Sequence, residues 1–356
     1  MLRQIRRGLL HTLKSCGVLT LIAGSQWRRQ RLLILCYHGT ALEDEHLWRP
    51  GLYIHPEMLA RRLDLIQRER YTVLPLGESL QRLHAGTLPP RSVAITFDDG
   101  TYDFYRAAYP LLKAHGFPVT VYQTTYYTDY QRPIFNLICS YMLWKRRGEI
   151  LPDGRDLGIE APLDLRDEVR RHQVVRALVT LAERESMTGK QKDVLAARLA
   201  KFLELDYEAL AAKRVLQLMN AKELQQIAAE GVDIQLHTHR HRTPDDPVLF
   251  AREISDNRMR IREIAGVNPV HFCYPSGVYR PQFLPWLEKQ QVTSATTCDT
   301  GLVTKASPYL LLPRYIDNQV RKEIEFESWL AGVGDLLAVR RKARQKYVPQ
   351  DADESE

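Results

Sequence analysis

Short apolar runs alternate with amphipathic stretches along most of this chain, and that rhythm limits the fold more than any other feature. Leu32-Leu33-Ile34-Leu35-Cys36 reads as a strand, and Ser92 to Phe97 is the clearest one. Between them, Pro56 to Arg68 reads as an amphipathic helix, with Pro56 suited to its first turn and Leu59, Leu63 and Ile66 on one face. A further strand and helix fill Tyr71 to His84. A helix from Asp103 to Ala114 stops at Gly116, and Val119 to Gln123 resumes the strand pattern. The rhythm returns late in the chain with helix Ala221–Glu230, strand Val232–Leu236, helix Val248–Ala265, strand Val270–Tyr274 and helix Pro281–Gln290. Strand-like runs follow at Val292–Thr296 and Tyr309–Leu312. Such recurrent units predict an α/β fold with a parallel sheet, either open or closed into a barrel. In both arrangements the loops at the C-terminal ends of the strands gather the chemistry.

The rhythm breaks between Thr124 and Asn220. Charge-rich segments such as Glu168–Glu183 and Lys190–Leu205 predict an all-helical insertion over residues 125–219. It divides an α/β domain made of residues 32–124 and 220–335, and a charged tail, 336–356, reads as disordered. The formal net charge of +7 is concentrated at the other end. Residues 1–31 carry Arg3, Arg6, Arg7, Lys14, Arg28, Arg29 and Arg31 with no Asp or Glu, so the rest of the chain is close to neutral. That distribution gives no basic stripe on the folded body, and no nucleic-acid partner is expected.

Three readings of residues 1–31 stay open. One is an interfacial helix on anionic lipid, a peripheral membrane contact through Leu9, Leu10, Leu13, Leu19 and Trp27. The others are a solvated leader and a secretory signal, whose apolar core would be short and followed at once by Arg28, Arg29 and Arg31. The five cysteines are scattered and form no CxxC pair, so neither a thiolate zinc site nor a dithiol redox motif is indicated. The expected location is cytoplasmic, or peripheral at the inner face of the membrane, in preference to secreted.

Two polar clusters sit where strands end. Thr96-Phe97-Asp98-Asp99-Gly100 places two adjacent carboxylates on opposite sides of the chain, so they need not share one task. Carboxylates crowded in a cleft repel, and a divalent cation relieves that, although Asp-Asp-Gly can also be a plain turn. His237-Thr238-His239-Arg240-His241 places three imidazoles within five residues, which core packing does not explain and metal binding does. Together they offer two nitrogen ligands, one carboxylate ligand and a second carboxylate free to act as a base. Three protein ligands leave coordination positions open, the mark of a catalytic site.

Both clusters resemble motifs of the polysaccharide deacetylase family with the NodB homology domain. Thr96 to Gly100 resembles its T-F-D-D-G motif and His237 to His241 its H-[ST]-x-x-H motif. The resemblance implies Asp98 as the base and Asp99, His237 and His241 as ligands of a divalent metal, with Zn2+ expected and Co2+, Ni2+ or Fe2+ compatible. Phe272 to Gly277 looks like the third motif, a groove wall comprising Tyr274, Pro275 and Ser276, with the Ser276 N–H at the oxyanion. Many members carry an Arg where this chain has Cys273, and Arg314 is the candidate to brace Asp98 instead. The closing L-x-H motif is also missing, since no His follows His271. Tyr37-His38-Gly39 resembles the N-terminal Y-H motif of the exopolysaccharide-modifying branch, which makes His38 the candidate general acid. The family implies a distorted (β/α) barrel. It also implies hydrolysis of N-acetyl groups from hexosamines of a cell-surface polysaccharide or its precursor, with metal-activated water as nucleophile. The alternatives are an inactive glycan-binding member and a deacylase acting on formyl groups or non-sugar amides.

Overall fold

The computed structural model describes residues 2–151, 157 and 162–337, so most of the expected C-terminal tail, from residue 338, lies outside the described residues. Its centre is a curled parallel sheet. From one edge to the other the strands are Ser294–Thr296, His271–Cys273, Asp233–Leu236, Thr120–Gln123, Ser92–Phe97, Leu33–Tyr37 and Tyr315–Ile316, and Thr72–Val73 pairs with the start of Ser92–Phe97. The segment after residue 308 reaches both edges. Leu312 bridges to Thr296 on one side, and Tyr315 and Ile316 pair with Leu35 and Cys36 on the other, so the curl is drawn into a distorted barrel. The expected strand at Tyr309–Leu312 is therefore displaced. Those residues form a turn with a single bridge, and the paired strand begins only after Pro313, which has no N–H to give a ladder.

Alternation along the strands separates two faces. Leu33, Leu35, Val93, Ile95 and Val121 join the core under the outer helices. Ile34, Ala94, Tyr122, Cys273 and Leu312 form a second cluster with Leu76, Leu80 and Leu83 of helix Leu76–Ala85. The outer helices begin and end where their capping residues dictate. His55 accepts from the Glu57 N–H ahead of helix Pro56–Arg68, and Asn220 with Glu223 forms a capping box on Ala221–Ala229. Asp246 accepts from Val248 and Leu249 at the start of Pro247–Ala265. The helix expected over Asp103–Ala114 opens as a wider π turn, Phe104–Ala108, and becomes α-helical at Tyr109–Ala114. Pro110 lacks the N–H that a regular ladder needs there.

The insertion has its own core. Helices Phe135–Lys145, Glu168–Arg184 and Gly189–Phe202 close on Ile138, Met142, Leu178 and Leu199. It is not wholly helical: Ile150–Leu151 and Leu163–Asp164 form a small antiparallel ribbon. At the N-terminus, helices Leu2–Ser15 and Val18–Gly24 lie on the C-terminal helix Glu323–Ala331, which the short helix Val333–Leu336 follows. Leu10, Leu19 and Ala23 pack there with Ile324, Ala331 and Val333. That corrects part of the expected lipid face, because Leu10 and Leu19 are core residues. Arg28 is wholly buried and donates to the carbonyls of Leu330, Arg31 and Ser92. Among the described residues no helix is long and apolar enough to cross a membrane.

Candidate metal centre

The register of four parallel strands assembles the site. Tyr37 pairs with Phe97, so the residues that follow them, His38 and Asp98, leave the sheet side by side. Leu236 pairs with Gln123, which brings His237 to the same end. Tight backbone turns then aim the side chains. Asp99, Gly100, Thr238, His241 and Ser276 all have positive φ, a concentration typical of functional loops held by their surroundings. Gly100 sits at φ 74°, where a side chain is strained, and a Cβ there would also run into the end of the Gln123 side chain.

Asp99, His237 and His241 meet at one point. His237 Nε2 lies 3.1 Å and His241 Nε2 3.2 Å from Asp99 Oδ1. His237 Nδ1 is 2.9 Å from the Cys273 carbonyl oxygen, which only accepts, so the proton sits on Nδ1 and a neutral ring turns a lone pair toward Asp99. Lone pairs converging in this way require a proton or a cation between them. Donor atoms held about 2.0–2.1 Å from a tetrahedral ion lie roughly 3.3 Å apart, close to the spacing found, so the residues fit a divalent metal. Desolvation pushes the Asp99 carboxyl up, but the two imidazoles outweigh it and hold the group well below the usual carboxylate range. Desolvation likewise opposes charge on His237, and Asp99 reverses that, leaving its pKa raised.

Asp98 faces a different environment. Its oxygens accept a bidentate pair from Arg314, with Nη1 2.7 Å from Oδ1 and Nη2 2.7 Å from Oδ2. Both side chains are buried, Arg314 completely. Burial would raise the Asp98 carboxyl, yet the guanidinium beside it keeps the group below the ordinary range, a fixed anion. Arg314 is itself held by the Thr297 carbonyl at 2.9 Å. The Cys273 thiol lies 3.5 Å from Asp98 Oδ2, and Cys36, which the sequence did not single out, approaches the same oxygen at 3.6 Å. His38 Nε2 is also 3.6 Å from it.

The structure differs from expectation along the third motif. Tyr274 does not line a groove: it is fully buried and its hydroxyl donates to the Leu310 carbonyl. Pro275 is buried as well, and only Ser276 is exposed, in a short turn at φ 55°. Arg314 acts from inside the barrel, behind Asp98. Sequence reasoning also missed how the insertion is tied to the site. The chain bonds to both loops of the cluster as it enters the insertion, Thr124 Oγ1 to the Asp99 carbonyl at 3.0 Å just before it and Tyr126 N–H to the His239 carbonyl at 2.9 Å within it. Its last stretch returns beside Asp99, with Met219 N–H on the Gly100 carbonyl and Tyr102 N–H on the Gln217 carbonyl.

Comparison with known proteins agrees with this geometry. The family model for polysaccharide deacetylase matches residues 85–161 and 206–295, which include Asp98, Asp99, His237 and His241 but neither His38 nor Arg314. No curated protein sequence matches the chain. Among solved structures, a Streptococcus pyogenes deacetylase, PplD, in complex with acetate is similar at 18% identity and a TM-score of 0.56, covering 85% of this chain and 97% of its own. IcaB from Ammonifex degensii is similar at 16% identity and a TM-score of 0.52, with the same coverage. A de-N-acetylase from Aggregatibacter actinomycetemcomitans is 13% identical with a TM-score of 0.52, covering 82% of this chain and 97% of its own. The barrel is the deacetylase (β/α) fold. The chain carries a polysaccharide deacetylase domain, the mark of hydrolases that act on the carbon–nitrogen bonds of N-acetyl groups.

Proposed function

We propose that this chain removes N-acetyl groups from hexosamine residues of a cell-surface polysaccharide or its precursor in a metal-dependent reaction. The observation that carries the reading is the convergence of His237 Nε2 and His241 Nε2 on Asp99 Oδ1, beside an ionised Asp98. A divalent ion held there, Zn2+ in the first instance, supplies Lewis-acid polarisation of the acyl oxygen and acidifies water.

The chain's own groups supply the rest. Asp98 receives the proton of the attacking water, and Arg314 fixes the plane of its carboxylate while keeping it charged. That pairing weakens Asp98 as a base, so its contribution is position and negative charge more than basicity. His38, whose Nε2 faces the same Asp98 oxygen, hands a proton to the departing amine. Water adds to the acyl carbon, the C–N bond breaks, and acetate and a free amine leave. The Ser276 turn, exposed at the rim, is suited to meet the developing oxyanion.

The test is metal analysis of the purified protein together with acetate release from a panel of chitooligosaccharides. Release should fall on chelation and return with Zn2+, Co2+, Ni2+ or Fe2+. Undiminished release by the metal-free protein would overturn the metal dependence. A metal-loaded protein that frees formate, or that cleaves only non-sugar amides, would overturn the substrate.

A further inference from the structure

Helix Pro247–Ala265 turns two buried polar side chains, Glu253 and Asn257, onto the loop that carries His237 and His241. They are four residues apart, one helical turn, and so share a face. Asn257 uses both ends of its amide. Its Oδ1 accepts from the His237 N–H at 3.0 Å, and its Nδ2 donates to the Gln123 carbonyl and to Thr125 Oγ1, each at 2.9 Å. Thr125 then has its hydroxyl proton free for His239 Nδ1, 2.9 Å away.

Glu253 holds the next part of the loop. Its backbone carbonyl accepts from the His239 N–H at 3.1 Å and its carboxylate from the Arg240 N–H at 2.8 Å. The guanidinium groups of Arg240 and Arg242, on either side of His241, reach Glu253 Oε1 at 3.1 and 2.9 Å. Between these anchors the loop runs through Thr238 at φ 62° and His241 at φ 57°, a region that side-chain-bearing residues seldom occupy. That conformation is what puts both Nε2 atoms on one oxygen, and it does not arise from local preference.

We propose that Glu253 and Asn257 are positioning residues of the metal centre, which set its affinity by holding the His237–His241 loop in its strained form. The inference rests on the reading of Asp99, His237 and His241 as metal ligands. Groups that orient ligands from behind typically govern metal affinity by 10–100-fold.

The experiment measures Zn2+ dissociation constants of the chelator-stripped full chain by competition with a chromophoric chelator, with folding of each apo protein checked by circular dichroism. Asn257→Ala and the near-isosteric Glu253→Gln should bind Zn2+ about 10–100-fold more weakly and recover acetate release at saturating metal. Ile261→Ala, on the same helix but in the hydrophobic core, is the control for general destabilisation and should bind as the wild type. Wild-type affinity in Asn257→Ala and Glu253→Gln overturns the proposal, and so does an equal loss in Ile261→Ala. Should Asn257→Ala not fold, Glu253→Gln decides alone. A wild-type chain that binds no Zn2+ instead overturns the metal reading beneath it.

Discussion

Arg314→Met tests the reading of the base most directly. The pair it breaks is dry: Arg314 is fully buried and Asp98 is 2% exposed. After the change, Asp98 Oδ2 faces only the Cys36 and Cys273 thiols and the His38 ring, each about 3.5 Å away or slightly more. Removing one partner of a buried pair leaves an uncompensated charge and costs about 3–5 kcal/mol. At roughly 2–4 °C per kcal/mol for chains of this class, the midpoint of thermal unfolding should fall by about 6–20 °C. Removing both charges, Arg314→Met with Asp98→Asn, should recover most of the loss, because the penalty belongs to the orphaned carboxylate and not to the missing contact. Arg314→Lys restores charge but not the two-pronged fork, so it should regain part of the stability and little turnover. The assay is urea and thermal unfolding of the chelated protein, followed by a probe in the barrel, because the insertion has a core of its own and can unfold separately. A cost below about 1 kcal/mol for Arg314→Met, the value of an exposed pair, would refute the reasoning. So would a double variant no more stable than the single one.

Other outcomes follow from the same geometry. His38→Asn should lose most acetate release while keeping its metal content by elemental analysis, and full activity would remove His38 as the acid. The Asp103 carboxyl is pushed up to about 8, chiefly by burial. Folded it stays protonated while the unfolded chain ionises, so the stability it contributes at low pH is lost as pH rises from about 4 towards 8. Relative to Asp103→Asn, the chelated wild type should lose up to about 1.4 kcal/mol per pH unit in that window; parallel denaturation curves at pH 5, 6, 7 and 8 would contradict this. Deleting residues 1–31 should lower the unfolding temperature, since it strips Leu10 and Leu19 from Ile324 and Val333 and removes Arg28 from the buried carbonyls of Leu330 and Ser92. An unchanged unfolding temperature would restore the view of a free leader.

The centre was legible because strand ends and paired polar clusters are local signals. Asp98, Asp99, His237 and His241 could be read in place, and His38 could be added because Tyr37-His38 also leaves a strand. The geometry behind them was less visible. Arg314 sits on a segment whose strand begins after Pro313, so the apolar run before it pointed to the wrong pairing. Glu253 and Asn257 fall in a charge-rich amphipathic helix, where polar residues ordinarily face water, and only the fold turns them inward. Leu10 and Leu19 show the limit of pattern reading, because an apolar stripe beside arginines looks the same whether it meets lipid or another helix. Tyr274 was misplaced for a related reason: a motif match carries the position of a residue but not the direction of its ring.

The two ends of strand Ser92–Phe97 also bear on which substrates this site can reach. Arg28 donates to Ser92 where the strand begins, and Asp98 follows where it ends. Six residues at about 3.3 Å each separate the two by roughly 20 Å. Arg28, at the end of the N-terminal segment, therefore meets one end of this strand, and Asp98 with the Asp99–His237–His241 cluster lies at the other. After packing, Ile5, Leu9 and Leu21 remain exposed on those helices. If they rest on an anionic bilayer, a site at the far end of that strand favours sugars extended beyond the headgroups over one attached next to the lipid. Liposome flotation with and without residues 1–31 tests the contact. Acetate release from long against short lipid-linked oligosaccharides tests the orientation, and equal rates on both would refute it.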